Sequence, residues 1–148
     1  MEDFVPYELA VKLKEKGFKE KCYAYYFPPD NKLIYNINQF RGGILYDNLH
    51  SYNSLPKEVV TSDFIDAPTI PQVLKWLREE KKIFVAINIG YCYEPFLTNP
   101  KMEPILKGYY YGIWELDDLN NKNALSEYFK TPEQAALAGI EYVIDNLI

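Results

Sequence analysis

Histidine occurs once in the 148 residues, at His50, and cysteine only twice, at Cys22 and Cys92. Neither cysteine has a second Cys or His at ligand spacing, which excludes the common zinc patterns. His50 sits in the polar stretch "DNLHSYN", so a catalytic triad would need its nucleophile and carboxylate brought from elsewhere, and an exposed loop histidine is expected. Glycine is scarce at 7 residues and forms neither of the common phosphate-binding loops. The one "RGG", at 41–43, reads as a turn. No apolar run approaches the roughly 20 residues that span a bilayer. The opening "MEDFVPYELA" lacks a basic segment followed by an apolar core, so a cytoplasmic protein with reduced thiols is expected. Basic residues are outnumbered, 16 against 21 acidic, and are dispersed, which disfavours nucleic acid as a partner. Glu115, Asp117 and Asp118 read as solvated carboxylates at a strand end rather than as a metal site, and no cofactor is expected.

What the chain has in abundance is aromatic surface: 16% of its residues, with 14 tyrosines, in a sequence 48% hydrophobic. That length and content suit a single α+β domain over residues 1–148, burying about 70% of the surface of the unfolded chain. Three helices are signalled. Pro6, Leu9, Ala10 and Leu13 share a face, with Gly17 as a left-handed stop, giving a helix over about 6–16. "TIPQ" is a capping box, Thr69 with Gln72, ahead of Ile70, Val73, Leu74 and Leu77. "TPEQ" repeats it with Thr131 and Gln134, ahead of an inner face of Ala136, Ile140, Val143, Ile144 and Leu147. Between helices, "KCYAYYFPPDNKLIYNINQF" reads as two strands around the turn "PPDN". "KIFVAINIGYCY" and "GYYYGIWELDD" read as a third and a fourth, and Gly43 to Tyr46 as a short extra one. The order αββ-αββ-α predicts one antiparallel sheet of about four or five strands with helices packed on it. The long connections 41–66 and 94–106 stand outside that scheme.

Alternation puts Ile83, Val85, Ile87 and Ile89 toward the helices and leaves Phe84, Ala86, Asn88 and Gly90 as a mixed face. On the fourth strand Tyr110, Trp114 and Leu116 oppose Tyr109, Tyr111, Ile113 and Glu115. Should the mixed faces coincide, one side of the sheet carries Tyr109, Tyr111, Glu115, Phe84, Asn88, Asn36 and Asn38. Rings beside amides suit a sugar or an unstacked base. Cover by the long connections or by a partner chain is the favoured alternative. Trp76 lies at the flank of the second helix's apolar face, with Arg78 further round, and core-edge packing is its expected role, partner contact the next. The candidate binding surface is therefore Trp76, Arg78, Asn88, Tyr109, Tyr111 and Glu115.

"APTIPQVLKWLREEKKIFVAI", the later "YYYGIWELDD" and the closing "FKTPEQAALAGIEYVIDNLI" together resemble a broad set of small proteins from phages, prophages and mobile elements of gut bacteria, notably Bacteroidetes. The shared pattern is Ala67-Pro68-Thr69 with Gln72, then Lys75-Trp76-Leu77-Arg78, then Thr131, Glu133, Ala135, Gly139 and Ile140. It covers the C-terminal half and, more loosely, the helix ending in Gly17-Phe18, and the Tyr-rich first hairpin and the 41–66 connection fall outside it. The resemblance implies origin rather than activity, because its residues are caps, core positions and a close-packing glycine. A non-enzymatic accessory protein is expected, acting through a protein partner or self-association. A glycan- or single-strand-binding module is the alternative, and an enzyme with its site in 41–66 comes last.

Overall fold

The computed structural model describes residues 4–35, 40–41, 44–45, 49–93, 101, 103–118 and 124–148. Asn36 and Asn38, and Gly43 and Tyr46 at the ends of the short expected strand, lie outside the described residues. The fold is α+β, with three helices and antiparallel strands. The chain divides into two compact units, 1–73 and 74–148, with the division inside the second helix. None of the described helices is long and apolar enough to cross a membrane.

In the first unit, helix α1 spans Tyr7–Glu15 and buries Leu9, Ala10 and Leu13, the face expected from spacing. Pro6 stands one position earlier than a first helical residue, as an extended N-cap. The helix stops at Gly17, whose φ of +89° suits a residue without Cβ. There Phe18 N–H donates to the Leu13 carbonyl at 2.9 Å and Gly17 N–H to that of Lys14 at 3.1 Å, a Schellman termination. Strands β1 (Ala24–Phe27) and β2 (Lys32–Tyr35) pair antiparallel around the Pro-Pro-Asp-Asn turn. Two-residue strands β3 (Phe40–Arg41) and β4 (Ile44–Leu45) pair with each other.

One expectation needs correcting: the described strands form separate sheets rather than one. The free edge of β1 is filled from within the long connection, by β5 (Ile65–Ala67), with Ala24 opposite Ala67 and Tyr26 opposite Ile65. A segment so short and so flanked by loop residues carries no period-2 signal of its own. Helix α2 (Ile70–Glu80) follows. Its capping box forms: Thr69 N–H donates to Gln72 Oε1 at 2.9 Å, and Gln72 N–H to Thr69 Oγ1 at 3.4 Å.

In the second unit β6 (Ile83–Cys92) and β7 (Ile105–Glu115) form a long antiparallel ladder, and β8 (Ala124–Leu125) flanks β7. Helix α3 (Pro132–Asn146) packs on both long strands. Thr131 Oγ1 caps it by accepting from Gln134 N–H at 3.1 Å, and Ala135, Ala136, Gly139, Ile140, Val143 and Ile144 are buried. Gly139 lets helix and sheet approach closely. A Cβ there would lie 2.7 Å from Val85 Cγ1 and 3.1 Å from Tyr111 Cγ.

Candidate functional site

The register of β6 on β7 decides which side chains share a face. Phe84 lies opposite Trp114, Ala86 opposite Gly112 and Asn88 opposite Tyr110, while Val85 lies opposite Ile113 and Ile87 opposite Tyr111. Residues directly opposite in an antiparallel pair point the same way. Because Val85 and Tyr111 meet Gly139 of α3, the odd-numbered set faces the helix and the even-numbered set faces away. Ile83, Val85 and Ile113 are accordingly buried, and burial pushes the Tyr111 phenol up, with Tyr142 and Glu127 adding to it.

The face turned away from α3 is aromatic at both ends and low in the middle. Phe84 and Trp114 form a cross-strand pair, 40% and 46% exposed. At the other end Tyr110 meets Tyr128 edge-on, ring centroids 5.7 Å apart. The Tyr128 ring lies against Gly90, where a Cβ would collide with it, and carries Lys107 Nζ 5.8 Å from its centroid. Between them Ala86 and Gly112 make a floor. A side chain at Gly112 would meet Leu125 at 3.4 Å, Trp114 Nε1 at 3.5 Å and Asn88 Nδ2 at 3.8 Å.

The expected surface is thus split by the sheet. Asn88 is on the outer face with Phe84, whereas Tyr109, Tyr111 and Glu115 are on the helix face, and Tyr110 and Trp114 take their place outside. Neither strand's alternation reveals the parity of the pairing between them, and a one-residue slip exchanges the faces. Trp76 is buried, with Lys81 Nζ 5.1 Å from its ring centroid. Arg78 is exposed on α2 beside Glu79, at 3.8 Å.

The edge of this sheet matters as much as its face. Leu116 N–H donates to Lys82 O at 2.7 Å, while Tyr109 exchanges both backbone bonds with Phe129, at 2.9 and 2.6 Å. Tyr111 accepts from Ser126 N–H at 3.0 Å and donates to Ser126 Oγ at 2.9 Å. The even-numbered residues of β7 therefore bond toward β6. Through the same alternation Ile83, Val85, Ile87 and Ile89 direct their N–H and C=O groups outward. Among the described residues no strand pairs with that outer edge. The strand itself, "IFVAINIGYC", carries no charge and no proline.

A second cluster, in the first unit, bears on catalysis. Cys22 and His50 exchange backbone bonds at 2.8 and 3.1 Å, and the His50 ring lies 5.8 Å from that of Tyr52. Asp66, 1% exposed, accepts from Tyr52 N–H at 3.0 Å and Asn53 N–H at 2.8 Å. Asn53 in turn accepts from Asp66 N–H at 3.1 Å and donates to Phe18 O at 3.0 Å. Burial raises the Asp66 pKa, the Asn53 and Tyr52 amides opposing it. Cys, His and Asp thus share a neighbourhood, but a nucleophilic thiol needs a depressed pKa. Burial drives that of Cys22 far upward instead, with Asp66 and Glu20 adding to it. The carboxylate already serves the chain turn at Tyr52–Ser54, so the cluster holds structure. No three His, Cys, Asp or Glu side chains gather as metal ligands among the described residues. No protein-family model, curated protein or solved structure matches the chain.

Proposed function

We propose that this is a non-enzymatic accessory protein, of phage or mobile-element type, that acts by pairing the outer edge of β6 with another polypeptide. The carrying observation is a ten-residue, uncharged strand whose outer edge is paired by no strand among the described residues. Edges of that kind are ordinarily blunted by charge, proline or brevity, because bare N–H and C=O groups template a further strand. Protein recognition by strand addition uses the same groups. The origin rests on the phage-type sequence pattern, whose residues are largely helix caps and core.

The test is capture of partners from host lysate by immobilised protein, compared with Ile89→Lys, which sets a charge on the edge. A partner held by the parent and by Trp114→Ala but lost by Ile89→Lys supports the reading. A partner indifferent to Ile89→Lys refutes it. A second reading, a module for a glycan or single-stranded nucleic acid, is favoured by the outer face, where Phe84, Trp114, Tyr110 and Tyr128 surround a small floor beside the Asn88 amide. Binding on a glycan or oligonucleotide array that disappears in the Phe84→Ala, Trp114→Ala double variant would establish it.

A further inference from the structure

Resting on the second reading of the outer face, and independent of the β6 edge, we propose that this face binds a neutral oligosaccharide, stacked on Trp114 and Phe84 and hydrogen-bonded by the Asn88 amide and the Trp114 indole N–H. Strand geometry builds the platform. Gly112 and Trp114 are two apart on β7 and point the same way, as does Leu125, which lies opposite Gly112 on β8. Gly112 has no side chain to hold the indole away, and Trp114 leans back over it, with Nε1 3.5 Å from where a Cβ would stand. Leu125 comes to 3.4 Å and Asn88 Nδ2 to 3.8 Å of the same point. Two polar groups and an apolar wall therefore converge on one spot, beside the exposed rings of Phe84 and Trp114.

Rings and polar groups together select the ligand. The faces of a pyranose carry C–H bonds whose slight positive charge suits the negative face of an aromatic ring, while its rim carries hydroxyls. The Asn88 carboxamide offers both donor and acceptor, and the indole N–H a donor. Among the described residues neither side chain has a hydrogen-bond partner, so both are open to a hydroxyl rim. An apolar protein surface laid here would seal the same groups from water unpaired, which is costly. A nucleic-acid strand could also stack, but positions 84, 86, 88, 90, 108, 110, 112 and 114 hold no cation for its phosphates, in a chain of net charge −5. Lys107 lies at the far end, over the Tyr128 ring. Along β7 the Trp114 and Tyr110 rings are rooted four residues apart, about 13 Å, which suits a ligand of more than one sugar unit.

The experiment is titration of the full chain with cellotetraose, chitotetraose, maltotetraose and mannotetraose, and with an oligothymidylate as the charged comparison, followed by calorimetry and by tryptophan fluorescence. At least one tetrasaccharide should bind, and the oligothymidylate should not. Trp114→Ala should weaken sugar binding about tenfold, the scale of one lost ring contact, and Asn88→Leu should weaken it while keeping the side chain's bulk. Trp114→Phe keeps a ring and should still bind, but without the parent's emission change, because the remaining Trp76 is buried. If Trp114→Ala loses the parent's circular dichroism, Asn88→Leu and Trp114→Phe answer in its place. Sugar binding indifferent to both Trp114 and Asn88 overturns the proposal. Should the oligothymidylate bind instead, and be lost by Trp114→Ala, the sugar is excluded and the second reading of the face survives. Should neither kind of ligand bind, both fall.

Discussion

The two three-stranded sheets of this chain are completed in opposite ways. In β2-β1-β5 the central strand is paired on both sides, and the third strand is fixed by buried polar contacts: Asp66 on the amides of Tyr52 and Asn53, and Asn53 on Phe18 O and Asp66 N–H. Tyr26 adds a bond from its hydroxyl to Val5 O at 2.6 Å. In β6-β7-β8 the helix face is apolar, the outer face keeps Phe84 and Trp114 in solvent, and a long edge goes unpaired among the described residues. A satisfied buried polar network specifies one arrangement of the chain within itself. Uncharged edge and exposed rings specify something about what lies outside it.

That contrast can be broken first in the first unit. Asp66→Ala leaves two amides without their acceptor, and a loss of about 3 kcal/mol is expected in urea denaturation. A loss under about 1 kcal/mol would mean that water or another group replaces the carboxylate. Next is Gly139→Leu, which forces atoms into Val85 and Tyr111 and should cost about 2 to 3 kcal/mol by overpacking; a stability equal to the parent's would void the close-approach assignment. Thr131→Ala should cost about 1 kcal/mol through loss of the α3 cap, read in the same denaturation series.

Of similar size is the effect expected on the outer face. Phe84→Ala with Trp114→Ala should lower stability by about 1 kcal/mol, the scale of an exposed cross-strand pair. Tyr109→Ala with Tyr111→Ala, on the helix face, should cost about 2 to 3 kcal/mol, since full burial of a large side chain contributes roughly 1.5 to 3 kcal/mol and both of these rings are half-buried. Equal melting temperatures for the two double variants would erase the distinction between the faces. The smallest effect concerns pH. The folded-state pKa of Asp66 is raised above its ordinary 3.8 by burial, so the fold holds that proton more tightly than the unfolded chain does. The resulting stability is present below the ordinary value and lost as pH rises through the raised one. The parent should therefore lose stability relative to Asp66→Asn across that interval, and an unchanged difference would contradict the assignment.

Much of this was legible before any coordinates. The caps at Thr69 and Thr131, the stop at Gly17, the first hairpin and both long strands follow from local chemistry that needs no distant partner. What sequence could not supply was pairing. Residues Ile65–Ala67 become a strand only because β1 offers an edge, and the faces of β6 and β7 depend on a register in which Asn88 meets Tyr110 rather than Tyr109 or Tyr111. Asp66 gave no signal either, because its role arises from a turn 13 residues away. Trp76 did give one: flanking an apolar helix face, it is buried as that position implies.

The most direct test of the contrast is amide hydrogen exchange, residue by residue, on the two sheets. Dilute protein should show protection of Phe84, Ala86, Asn88 and Gly90 alternating with fast exchange at Ile83, Val85, Ile87 and Ile89, while β1, bounded on both sides, shows no such alternation. Uniform protection along β6 in dilute solution would contradict the account, because its outer edge would then be closed within the single chain.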